Sequence, residues 1–144
     1  MIIRPYERTT HYYETDRMDV IHHSNYLRFF EEARIDLFEQ LGLSYARLEE
    51  LGVQMPVISS HCEYKKSVKF NERIRIHVGI HRYNSLRVTL HYRLERAETG
   101  EVCATGETQH CFVSGETFHP LRLSRVYPEI DRVFAGVAER HPEQ

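Results

Sequence analysis

Residues 12–42 read YYETDRMDVIHHSNYLRFFEEARIDLFEQLG, and the fold follows from how this stretch divides. Its first half, through His23, is a polar turn carrying Glu14, Asp16, Asp19, His22 and His23. Its second half places Leu27, Phe30, Ala33, Leu37, Phe38 and Leu41 three or four residues apart. That spacing predicts one apolar face of a helix from about Ser24 to Leu41. Tyr26 and Phe29 widen the stripe, while Arg28, Glu31, Glu32, Asp36 and Glu39 face elsewhere. Ser24 is the expected N-cap and Gly42 the left-handed cap at the other end. At ~1.5 Å per residue the helix is roughly 25 Å long. So wide a stripe implies a helix covered on more than one side. The turn, in addition, sets a carboxylate and a histidine pair just before a helix N-terminus. Free N–H groups and a partial positive charge there suit a polarised carbonyl.

Outward from this stretch the period changes. Residues 4–13 have the Tyr and Thr content of a first strand. After the helix, Tyr45–Leu51 predicts a short second one, capped by Ser44 and ended by Gly52. From Val53 the pattern alternates. Strands are expected over Val53–Tyr64, Phe70–His81, Leu86–Leu94 and Val102–Val113, with Pro56 arguing against a central position at that point. Ile74, Ile76, Val78 and Ile80 alternate with Arg73, Arg75, His77 and Gly79. The connections at Tyr83-Asn84-Ser85 and Glu98-Thr99-Gly100 are short enough for antiparallel hairpins. Strands with one apolar and one polar face bury one side only, and the large apolar partner available is the long helix. The expected architecture is therefore α+β, an antiparallel sheet curled around one central helix. The tail from Pro128 to Arg140 reads either as a last helix, through Ile130, Val133, Phe134 and Val137, or as a loosely packed end.

Composition sets the bounds. The chain has 144 residues, 41% of them hydrophobic and 28% charged, with a formal net charge of -2. One domain, 1–144, with its own core is expected. The balance lacks the basic excess that nucleic acids or anionic membrane surfaces demand. No signal-peptide pattern opens the chain and no apolar run approaches the ~20 residues of a membrane span, so a cytoplasmic protein is expected. Cys62, Cys103 and Cys111 are odd in number and contain no CxxC, which argues against a disulfide framework or a cysteine zinc site. The ten histidines, among them His141, are scattered.

Taken alone, Asp16 and Asp19 have a plain explanation, since acidic groups stabilise helix N-termini. His22 and His23 are adjacent and so diverge, and no helical HxxxH or HExxH pair exists to hold a metal. No cofactor is expected. There is no glycine-rich phosphate loop and no GxSxG elbow. A hydrolase built on this sequence uses a carboxylate.

Tyr13-Glu14-Thr15-Asp16, His22-His23-Ser24-Asn25-Tyr26-Leu27-Arg28-Phe29-Phe30-Glu31 and Ala33-Arg34 together resemble the signature of the 4-hydroxybenzoyl-CoA thioesterase family. The resemblance continues through Met55-Pro56-Val57, Tyr64–Phe70 and the His81–Leu86 hairpin to about Val113. It implies the hotdog fold, a curved antiparallel sheet wrapped around one long helix, and acyl-CoA hydrolysis to free acid and CoA. Asp16 aligns with the family's catalytic aspartate, and His23 with the residue whose backbone N–H binds the thioester oxygen. Asn25 and Tyr26 fall on the substrate-binding part of the motif, with Tyr26 and Phe29 as pocket walls. Arg82 and Ser85 align approximately with hairpin residues near the nucleotide of CoA, and Lys65, Lys66, Lys69 and Arg73 are further basic residues nearby. The resemblance also implies a homodimer or homotetramer with sites at subunit interfaces. Two departures stand out. Asp19 occupies a position where the family usually has Gly, and Ser67-Val68 stands where Pro-Ala is common. Two rival readings remain: a hotdog hydroxyacyl-thioester dehydratase, and a non-catalytic acyl-CoA-binding module.

Overall fold

The computed structural model describes residues 2–138; Arg140 and His141 lie outside the described residues. Strand β1 (Tyr6–Thr9) leads through a single 3-10 turn at Tyr12–Glu14 and the polar turn into helix α1 (Ser24–Gln40). Helix α2 (Tyr45–Glu50) and strands β2 (Val53–Gln54), β3 (Val57–Tyr64), β4 (Arg73–Tyr83), β5 (Arg87–Arg96), β6 (Val102–Cys111) and β7 (Val113–Ser114) follow. Helices α3 (Leu123–Val126) and α4 (Pro128–Val137) come last. Five strands form a sheet in the order β1-β4-β5-β6-β3, and β2 pairs antiparallel with β7 in a two-stranded ribbon. β1 runs antiparallel to β4 with Tyr6 opposite Ile76. No described helix is long and apolar enough to cross a membrane.

The structure differs from the sequence reading at four places. The first strand ends at Thr9 because the next polar groups are diverted. The Thr10 hydroxyl donates to the Lys69 carbonyl (2.6 Å), and the His11 N–H donates to the Glu14 carboxylate (2.8 Å). The single strand expected over Val53–Tyr64 is two, separated at Met55-Pro56, where proline has no N–H to give a ladder. Helix α1 starts at Ser24, so Ser24 is its first residue rather than its cap. Finally, Leu27 is 38% exposed, and the buried stripe of α1 runs through Tyr26, Phe29, Phe30, Ala33, Leu37 and Phe38. The tail resolves as a helix, with Ile130 and Phe134 buried.

The described chain falls into two compact units. The first comprises residues 2–37, 61–78 and 92–106. In it, Phe30 of α1 stacks on Tyr92 of β5 (4.6 Å between ring centres), and Arg34 donates to the Tyr92 hydroxyl (3.0 Å). Gly106 of β6 passes so close that a Cβ there would lie 2.3 Å from the Phe30 ring. On the polar face Arg75, His77 and Arg93 all meet Glu95, at 3.1, 2.9 and 3.5 Å. The second unit comprises residues 38–60, 79–91 and 107–138. Its centre is Phe134, whose ring meets Phe38, Tyr83 and Phe112. Asp131 accepts hydrogen bonds from the Tyr83 and Ser85 hydroxyls (2.6 and 2.7 Å), and Tyr127 donates to the Leu51 carbonyl.

Candidate active site

The polar turn is a small closed loop. Thr15 and Ile21 form an isolated antiparallel bridge at its base, and the Asp16 N–H donates to the Val20 carbonyl (2.8 Å). Asp16 Oδ1 accepts the Met18 N–H (2.7 Å), a side-chain turn that fixes the carboxylate. No described residue donates to Oδ2 of Asp16. Asp19 takes φ +62°, the left-handed conformation, which Asp tolerates better than most residues. The Ile21 N–H donates to the Val68 carbonyl (2.7 Å) and moors the loop to the segment after β3.

Behind the loop lies Glu14, buried to 5% exposure. Its carboxylate pairs with Arg8 at 2.7 Å, and Arg8 also holds Glu32 at 3.0 Å and lies over the Phe29 ring. The Glu14 carbonyl accepts both the His22 N–H and the Asn25 side-chain amide, each at 2.8 Å. His22 then closes the helix start: its Nδ1 accepts the Ser24 N–H (3.1 Å) and lies 2.8 Å from the Ser24 hydroxyl. The His23 N–H, between these, has no acceptor among the described residues, and the Tyr26 N–H donates to the His23 carbonyl. A free donor at the first turn of α1 is one of the unsatisfied groups that every helix start presents.

Asp16, His23 and Tyr26 line one cleft of about 260 Å³, with Met18, Val20, Ile21, Tyr64, Lys65, Lys66 and Ser67. Tyr64 stands edge-on to Tyr26 (5.1 Å, 88°) and to His23 (6.3 Å, 86°), and its hydroxyl donates to the His23 carbonyl (3.3 Å). Burial, with Cys103 and Cys62 close by, pushes the Tyr26 phenol up to about 12. Burial likewise raises the Tyr64 phenol and the Cys62 thiol. These three groups are therefore neutral at physiological pH.

The other expected site residues lie elsewhere. Asn25 sits under the loop with its amide committed to Glu14. Arg82 lines a cavity of about 360 Å³ in the second unit with Tyr83, Asn84, Arg87, Thr89 and Gln109. Neither Arg82 nor Arg87 has a carboxylate partner among the described residues. Ser85, at φ +73°, gives its hydroxyl to Asp131, and its carbonyl accepts the Leu123 N–H. Of the nearby basic residues, Lys65 and Lys66 reach the cleft, whereas Arg73 pairs with Glu7 (3.3 Å). A third cavity of about 260 Å³, lined by Tyr45, Leu48, Met55, Pro56 and Phe118 among others, contains none of the expected site residues. Among the described residues no group of three or more His, Cys, Asp or Glu is placed to hold a metal.

Two contributors escaped the sequence reading. His22 acts as a cap through its ring, a role that side-chain propensity assigns to Ser, Thr, Asp or Asn. Tyr64 becomes a wall because β3 ends beside α1, and nothing local in Glu63-Tyr64-Lys65 signals that.

The antiparallel α+β fold, with its sheet and long helix, is that of the small hotdog proteins. The sequence matches the thioesterase-like superfamily over residues 10–134, and the chain belongs to it: it is a hotdog-fold thioester hydrolase. It is 31% identical over 118 residues to the putative acyl-CoA thioesterase YneP of Bacillus subtilis, covering 82% of this chain and 85% of that one. It is 31% identical over 109 residues to a 1,4-dihydroxy-2-naphthoyl-CoA hydrolase of Thermosynechococcus vestitus, covering 75% and 74%. The crystal structure of a DHNA-CoA thioesterase from Staphylococcus aureus superposes with a TM-score of 0.89 at 36% identity, covering 95% of this chain and 91% of that one.

Proposed function

We propose that the protein hydrolyses an acyl-CoA thioester to the free acid and CoA, the whole chain serving as one catalytic domain. The observation that carries this reading is the shared cleft of Asp16 and His23, with an unclaimed His23 N–H at the start of α1. The thioester carbonyl accepts that N–H, and the positive end of the helix stabilises the oxyanion as the carbonyl carbon is attacked. Asp16 works in one of two ways. As nucleophile its carboxylate attacks, CoA leaves as thiolate, and water hydrolyses the resulting anhydride. As general base it takes the proton from an attacking water. Thiolate leaves readily, so a strong acid is not required. Arg82, with Arg87 beside it, supplies positive charge for the phosphates of CoA.

A thiol-release assay over a panel of aliphatic and aromatic acyl-CoAs tests the reading. Asp16→Ala and Asp16→Asn are expected to lose at least about 10²-fold in kcat. Undiminished release in both would remove Asp16 from the mechanism. Water loss from a hydroxyacyl-CoA without free thiol would favour the dehydratase, and tight binding without turnover the non-catalytic module. A single turnover in ¹⁸O-water, followed by mass analysis of the peptide containing Asp16, tests for the nucleophile: label in Asp16 establishes an anhydride opened by water at the Asp16 carbonyl, which the general-base route never forms.

A further inference from the structure

His22 and His23 share one peptide unit, and that unit carries the His23 N–H. A trans peptide is planar, so its C=O and N–H point in opposite directions. The His22 carbonyl accepts the Asn25 N–H (3.0 Å), which points the His23 N–H out of the N-terminal end of α1. The unit is held on both sides. Before it, the His22 N–H donates to the Glu14 carbonyl (2.8 Å). After it, the Ser24 N–H donates to Nδ1 of the His22 ring (3.1 Å). Asp16 makes the same turn with the Met18 N–H, but here an imidazole nitrogen stands in for a carboxylate oxygen. An amide N–H can only donate, so Nδ1 is bare and the ring is neutral, its proton on Nε2. The Ser24 hydroxyl lies 2.8 Å from the same Nδ1, and the His23 ring stacks on the His22 ring at 4.3 Å.

We infer that His22 is a positioning residue for the oxyanion donor, its ring aiming the His23 N–H into the cleft only while Nδ1 is bare. This rests on the acyl-CoA hydrolase reading and adds a pH-sensitive support to that site. Among the described residues that line the cleft His22 is absent, so it acts through the His23 peptide and not on the substrate. Protonation of Nδ1 sets N–H against N–H, and the Ser24 amide loses its acceptor. The His23 peptide is then tied on one side only, and its N–H leaves the position the oxyanion needs. Histidine is the side chain that changes charge between about pH 5 and 8, so the donor is lost while ordinary carboxylates remain ionised. The titratable and charged groups around the pair are few. His23 stacks on the ring, Asp16, Lys65 and Lys66 share the cleft with His23, and the Tyr64 hydroxyl donates to the His23 carbonyl. The Glu14 carboxylate is committed to Arg8 and the His11 N–H.

The test is the pH profile of kcat and KM for the fastest thioester of the acyl-CoA panel, in the wild type, His22→Asn and His22→Ala. The wild type is expected to lose ~10-fold or more in kcat between about pH 8 and about pH 5. The side-chain oxygen of Asn accepts the Ser24 N–H and does not titrate. His22→Asn is therefore expected to stay within ~3-fold of the wild type at about pH 8, with its acid limb moved to lower pH. His22→Ala is expected to lose ~10-fold or more in kcat across the range with KM within ~2-fold, as removal of a transition-state contact requires. A wild type without the fall, or a His22→Asn enzyme that keeps it unmoved, overturns the inference. A second reading needs neither substrate nor variant. In ¹H–¹⁵N spectra of the wild type, the His23 and Ser24 amide signals are expected to shift together with the His22 imidazole as pH falls. Amides that ignore the His22 titration overturn the inference even where no variant folds. Absence of thiol release from every acyl-CoA at every pH counts against the hydrolase reading instead.

Discussion

Asp19 shows at a single residue how sequence and structure meet. The family resemblance places Gly there, and the chain nevertheless adopts φ +62° at this position. The turn therefore keeps its left-handed residue despite the change of side chain. The backbone demand was legible, because a glycine in a tight turn before a helix usually marks positive φ. The capping role of His22 was not legible. It depends on the ring folding back onto the Ser24 N–H, which only the closed loop permits. Two substitutions test the local argument. Asp19→Val, β-branched and intolerant of positive φ, is expected to cost about 1–2 kcal/mol in urea denaturation. Asp19→Gly is expected to stay within about 1 kcal/mol of the wild type. A neutral Asp19→Val would mean that the loop relaxes to another conformation.

At the scale of elements, the loop is held by a charged anchor as well as by its own hydrogen bonds. Arg8 of β1 reaches Glu14 and Glu32 together, and Glu14 in turn fixes the His11 N–H, the His22 N–H and Asn25. Periodicity revealed α1 and the long strands, Tyr and Thr content pointed to β1, and short connections marked the hairpins. None of these gave a sign of the Arg8–Glu14 link, nor of β2 and β7, whose two residues each are too short to carry a period. Arg8→Met leaves Glu14 buried without its cation and is expected to cost about 3 kcal/mol. Arg8→Lys should recover part of that in the same denaturation series. The hairpin between β4 and β5 has its own tie. The Tyr83 and Ser85 hydroxyls hold the Asp131 carboxyl of α4 below its ordinary range. A depressed carboxyl contributes stability that is complete above its unfolded value and is lost as pH falls through the folded one. Asp131→Ala should therefore destabilise by about 1–3 kcal/mol at neutral pH. The gap to wild type should close in acid, as thermal unfolding across a pH series will record. A gap independent of pH would assign the loss to packing instead.

For the whole molecule the open question is what covers β3. It is an edge of the five-stranded sheet and is exposed along most of its length, with Val57 at 51%, Ile58 at 44% and Tyr64 at 50%. An edge strand carrying apolar side chains, with neither proline nor lysine inside it, is a template for pairing with another chain. Val57–Tyr64 contains neither. The overall α+β plan was readable because alternation and helical period are whole-chain signals. The sequence alone gave self-association only through the resemblance, since alternation does not tell an edge strand from a central one. Tyr64 ends β3 and also walls the cleft, so a second copy seated on this edge would reach the cleft. The protein is therefore expected to sediment as a dimer or larger at micromolar concentration. Ile58→Lys, which places a charge on the edge while leaving the described core untouched, should shift it toward monomer. It should also lower kcat/KM in step with the monomer fraction, because the cleft loses its cover. A wild type that sediments as a clean monomer would refute edge pairing. A monomeric Ile58→Lys with full activity would instead detach the site from the interface.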